Sequence, residues 1–198
     1  MTARWAKRQA TFHTHEFLWS DLEDLWRLIE DEPQAARGVF TGTLVLLFAC
    51  FEAHLNFLGE TLFPDIWKQT RLHFGRPPHR GTLGKLAYLA AKLSLPLDRS
   101  RKPYSTVAEL QRRRHMLVHP LVENREHRVE FKDASELRLS ESRYDRIATQ
   151  RFLLRARAAV QEMADRLQKA AFEQFPGKVF GQRAFSGFLG VRGVSIES

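Results

Sequence analysis

An all-α, up-and-down bundle of four to five main helices is the fold class this sequence predicts, on three observations. Apolar residues recur at i, i+3 and i+4 along most of the 198 residues, the spacing of a helix that buries one face. Prolines and glycines gather at a few points between those stretches, where they act as stops. Hydrophobic residues make up 43% of the chain, with 15 Phe and 4 Trp, and there is a single Cys, so a core is available and a disulfide framework is not.

The elements follow in order. Phe17, Asp21, Leu22, Leu25, Trp26 and Ile29 share one helical face over about 15–31, acidic residues fill the other, and Pro33 closes the segment. A second helix over about 36–63 is apolar nearly all round and is expected at the centre of the bundle. Its longest fully apolar run, Leu44 to Phe51, falls far short of the ~20 residues that a membrane span requires. Residues 65–74 read as a short helix or turn, and Gly75-Arg76-Pro77-Pro78 as a loop. Thr82 is the expected N-cap of a third long helix carrying Leu83, Leu86, Leu89 and Leu93. A fourth starts near Tyr104, capped by Ser105 or Thr106, and stops at His119 because Pro120 disfavours helical geometry in the residue before it.

Residues 127–139 alternate polar and apolar side chains around Lys132-Asp133-Ala134-Ser135, which suggests a short β-hairpin. A long helix is expected over about 142–175. After Pro176, five of the eleven glycines fall within 22 residues. The chain therefore divides into a helical domain over 1–175 and a mobile Gly/Phe-containing tail over 176–198, whose Phe180, Phe185 and Phe188 are candidates for docking on the body or on a partner.

Charge narrows the function. The net charge is +8, and it is uneven: residues 1–60 carry 5 basic and 9 acidic side chains, residues 61–125 carry 13 and 4, and residues 126–198 carry 13 and 10. A positive field concentrated in the middle third attracts polyanions such as RNA. The N-terminal residues never open into an apolar stretch, so no secretory leader is expected and the chain reads as cytoplasmic. No H-E-x-x-H, C-x-x-C, Walker or G-x-S-x-G frame is present, so no metal and no cofactor is expected.

The densest chemistry lies in Arg112-Arg113-Arg114-His115-Met116-Leu117-Val118-His119-Pro120. His115 and His119 are four residues apart and share a helical face, with Arg112 three residues before His115. Arg114 and His119 are about 140° apart on an ideal helix, a gap that a long guanidinium and a Pro-distorted last turn can close. An imidazole titrates near neutrality and can take a proton from a ribose 2′-hydroxyl. A guanidinium can hold and neutralise the phosphate as charge gathers on it. A solvated basic helix end fits the same composition.

Arg114-His115-Met116-Leu117-Val118-His119-Pro120 resembles the signature of the HEPN superfamily: Arg, a polar residue, three variable residues and His, commonly followed by Pro or Gly. The mid-helix Glu in Phe51-Glu52-Ala53-His54-Leu55-Asn56, the Gly84-Lys85-Leu86 helix and Pro103-Tyr104 before the motif helix are similar to the family as well, so that the likeness covers about 15–170. It implies an all-α homodimer with two motifs facing one cleft, acting as a metal-independent endoribonuclease in defence, toxin–antitoxin or RNA-processing roles. Carried over, Arg114 would bind the scissile phosphate and His119 would be the general base or acid. His115 stands where Asn is commoner and would orient His119 or join the proton transfer. Glu52 would orient the Arg or a His, supported by Asn56 one turn on, and Arg112 and Arg113 would contact the RNA backbone. RNA, a second copy and a nucleotidyltransferase-type antitoxin are the implied partners. The alternative is a non-catalytic module of the same type that binds RNA, a nucleotide or a protein.

Overall fold

The computed structural model describes residues 14–31, 37–119, 146–179 and 181–185. The expected hairpin over 127–139, residues 142–145 of the expected last helix, and Phe180 and Phe188 of the tail lie outside the described residues. The described chain is all-α. Its seven helices are α1 (Thr14–Asp31), α2 (Arg37–Leu62), α3 (Pro64–Lys68), α4 (Thr70–Phe74), α5 (Gly81–Lys92), α6 (Tyr104–Val118) and α7 (Gln150–Gln174). Five are long and two are single turns.

α2 is the hub. It packs against α1, α3, α5, α6 and α7, as its apolar circumference requires. By length and composition it is the one described helix able to cross a membrane, yet here it is the core helix of a bundle. Leu44, Leu47, Phe51, Leu55 and Leu58 of α2 are fully buried, against Leu22 and Ile29 of α1, Leu86 and Leu89 of α5, Leu110 of α6 and Leu153 and Leu167 of α7. Each such side chain contributes roughly 1.5–3 kcal/mol through the surface it removes from water.

Several boundaries differ from the sequence-based expectation. In α1 the buried face is His15, Trp19, Leu22, Trp26 and Ile29, while Phe17 points outward, 43% exposed. Residues 64–74 form two short helices, because the chain breaks at Gln69 and restarts at once. α5 begins at Gly81 with Arg80 at the cap position, so Thr82 lies inside the helix and is not its N-cap. The reason is tertiary: the Thr82 hydroxyl is drawn to a carboxylate on α2. Likewise Pro103 occupies the cap position of α6, and Ser105 and Thr106 are helical. α7 starts at Gln150 with no helix over 147–149, because the Thr149 side chain caps it by accepting from the Phe152 N–H (3.3 Å).

The loop before α5 folds back onto that helix. A Cβ on Gly84 would collide with the His79 carbonyl, and one on Gly59 would collide with the Trp67 ring, so both glycines mark close approaches between elements.

The start of the expected tail belongs to the body. Phe185 is only 9% exposed and stacks on Trp19 at 4.1 Å, and the Ala184 N–H donates to Asp165 Oδ1 (2.8 Å). The helical unit therefore extends beyond residue 175 to at least 185, held by the ring stack on Trp19 and the bond to Asp165.

Candidate functional site

α6 delivers the basic motif, and its three arginines take different directions. Its last turn ends where expected: the His119 N–H donates to the His115 carbonyl (2.9 Å) and His119 leaves helical geometry. His115 and His119 are both exposed, with ring centroids 4.7 Å apart, one turn above the other.

Arg112, Arg114 and His115 form one wall of a cleft of about 530 Å³. Phe48 and Glu52 of α2 and the first turn of α5 form the rest, with Gln111 at the α6 side. Arg114 lies over the Phe48 ring, 5.7 Å from its centroid, so its guanidinium rests on an apolar floor. Arg112 runs along the helix toward Met116 Sδ (3.5 Å). Neither arginine has a carboxylate partner among the described residues. His119 is next to the cleft through His115 but does not line it.

Arg113 turns the other way, which corrects its expected role as an RNA contact. Its Nε donates to Glu109 Oε1 (2.9 Å), its Nη1 donates to the carbonyls of Arg146 (2.8 Å) and Ile147 (2.6 Å), and its guanidinium covers the Phe152 ring at 3.8 Å. Arg155 joins the same Glu109 from α7 (3.2 Å). A single 100° step around the helix separates a cleft-facing arginine from one that locks α6 to α7.

Glu52 lies in the cleft, but its polar partners are on α5, which corrects the expectation that it orients the Arg or a His. Glu52 Oε1 accepts from the Thr82 hydroxyl (3.0 Å) and faces Lys85 Nζ at 3.8 Å. Asn56 does share the face of Glu52: its Oδ1 accepts from the same Lys85 Nζ (2.8 Å) and from Trp67 Nε1 (3.2 Å). Lys85 is 9% exposed, and a buried ammonium is tolerable only with such partners. Thr82 and Lys85 are the site residues that sequence reasoning missed. Their i, i+3 spacing was the available signal, since it puts both on one face of α5. Because Lys85 balances Glu52, the charges left over in the cleft are those of Arg112 and Arg114, so the cleft favours anions.

A second polar cluster, unexpected from sequence, lies in the core. His54 is fully buried, and its Nε2 meets Gln168 Oε1 at 3.1 Å, while the Gln168 amide donates to the Gly181 carbonyl (3.3 Å). His15 approaches its ring edge-on at 5.3 Å, and His54 Nδ1 has no hydrogen-bond partner among the described residues. Burial pushes the imidazole pKa down to about 4, with the Gln168 hydrogen bond and the Asp165 charge opposing in part. Cys50 is also buried, its thiol pushed up to about 12 chiefly by desolvation. Neither group reaches the cleft. Among the described residues no three His, Cys, Asp or Glu side chains converge as a metal site would require.

No protein-family model, no curated protein and no solved structure matches the chain.

Proposed function

We propose that this chain is a metal-independent endoribonuclease of the HEPN type, acting in the cytoplasm as a homodimer. The observation that carries the reading is an anion-seeking cleft, lined by Arg112, Arg114 and His115, with the His119 imidazole one helical turn beyond His115. The arginines hold the scissile phosphate and offset the charge that builds on it in the transition state. His119 takes the proton of the attacking 2′-hydroxyl. His115, its neighbour at 4.7 Å, is placed to return a proton to the departing 5′-oxygen. The products are a 2′,3′-cyclic phosphate and a 5′-hydroxyl end. In the toxin arrangement that the resemblance implies, a nucleotidyltransferase-type partner would hold this activity in check.

A second reading, an RNA-binding module that does not cut, is favoured by one observation: Glu52 is engaged by α5, so neither motif histidine has a carboxylate partner among the described residues.

The test is incubation with varied RNAs in EDTA. Wild-type protein should give cyclic-phosphate ends, and His119→Ala should lower the rate by about 100-fold or more, the scale of general acid–base catalysis. Salt-sensitive binding without products would select the second reading. Products made equally by His119→Ala, or neither binding nor cleavage by wild type, would overturn the proposal.

A further inference from the structure

The Glu52 carboxylate is divided between two environments. Oε1 is taken by Thr82 and Lys85. Oε2 has no hydrogen-bond partner among the described residues, and the Glu52 side chain, 37% exposed, lines the cleft. The carboxylate is also unable to swing freely. Lys85, with 11% of its side chain exposed, is anchored to Asn56 Oδ1 at 2.8 Å, and Asn56 is itself fixed by Trp67.

Lys85 offsets the Glu52 charge, but an acceptor oxygen still lines a cleft whose other charges are cationic, and a ligand that is acceptor throughout leaves it unpaired. The cleft favours one that brings a hydrogen-bond donor close to its anion. A nucleotide does this in two ways, through the donor edge of a base or through a ribose hydroxyl. A guanine edge presents two donors side by side and matches a carboxylate with both oxygens free. Here one oxygen is committed to α5, which leaves a single acceptor suited to a single O–H. The 2′-hydroxyl is also the group by which a protein tells RNA from DNA.

We infer that Glu52 Oε2 is a sugar-reading acceptor, positioned by Thr82, Lys85 and Asn56, which binds a ribose 2′-hydroxyl beside a phosphate held by Arg112 and Arg114. The hydroxyl is bound and not deprotonated, so it belongs to a nucleotide flanking the bond that is cut. The inference rests on the reading of the cleft as an RNA site.

The experiment compares short single strands of one sequence, made as RNA and as DNA, by fluorescence anisotropy in EDTA at fixed salt. A His119→Ala background keeps the RNA intact. The RNA should bind about tenfold more tightly than the DNA, the effect of one hydrogen bond to a charged acceptor. Glu52→Met should bring the ratio close to one without weakening DNA binding. Lys85→Met, which leaves the carboxylate unheld, should lower the ratio although Glu52 is present; a purely structural role would not change it. The double variant Glu52→Met/Lys85→Met strands no buried ammonium and should also bind both strands equally. Equal binding of RNA and DNA by the parent, or a ratio that survives Glu52→Met, overturns this inference and leaves the nuclease proposal standing. Failure of the parent to bind either strand removes both.

Discussion

Acidification should weaken the fold through one residue, His54. Its ring is fully buried, and its Nε2–H donates to Gln168 Oε1, so Nδ1 is the atom a second proton would occupy. No partner for that N–H is in place among the described residues, and burial lowers the imidazole pKa to about 4 from an ordinary 6.5. In the unfolded chain His54 gains a proton near pH 6.5; in the folded chain it does not until about pH 4. The unfolded state therefore binds more protons across that window, and stability rises with pH through it. The contribution is fully present above pH 6.5 and is lost as the pH falls to about 4. At roughly 1.4 kcal/mol per pKa unit, the shift amounts to about 3 kcal/mol. The assay is urea unfolding of wild type and His54→Leu at pH 7.5, 5.5 and 4. At pH 7.5 the variant should be the less stable, by about 1 kcal/mol for the lost hydrogen bond, more if the leucine fits badly. By pH 4 the difference should have moved about 3 kcal/mol in favour of the variant. Stability curves that run parallel in pH would refute the reasoning, because they would mean that His54 does not titrate differently in the two states.

Three further predictions concern particular contacts. Arg113→Ala should destabilise the protein by about 2 kcal/mol, by removing the Glu109 pair, two carbonyl bonds and the Phe152 stack, and should leave the salt slope of RNA binding unchanged; Arg112→Ala should reduce that slope by about one with little change in Tm. Gly84→Ala should cost about 2–3 kcal/mol in chemical denaturation, because the new methyl meets the His79 backbone, which cannot rotate away as a side chain can. Cys50, buried and with its thiol pushed up to about 12, should resist alkylation at pH 8 in the native protein and react when denaturant is added.

The parts of this protein that were legible in the sequence are those set by neighbours along the chain. Helical periodicity placed α2 and α6 within a residue or so of their observed spans, and Pro120 placed the end of α6, because these signals act over one or two turns. The spacing of His115 and His119 is likewise a property of one helix and was readable as such.

What only the tertiary structure decided are the pairings between distant segments. Thr82 is a good N-cap by type but sits inside α5, where its hydroxyl meets Glu52 thirty residues earlier. Arg112, Arg113 and Arg114 are alike in sequence, yet the position of α7 makes one a clamp and leaves two in the cleft. His15, His54 and Gln168 come together from α1, α2 and α7, and Phe185 closes over them onto Trp19. Periodicity, composition and charge determined a basic all-α chain with a His/Arg motif in its most positive third. Which of those charges are free to meet a ligand depends on which are neutralised by partners far along the chain, and no local pattern encodes that distance.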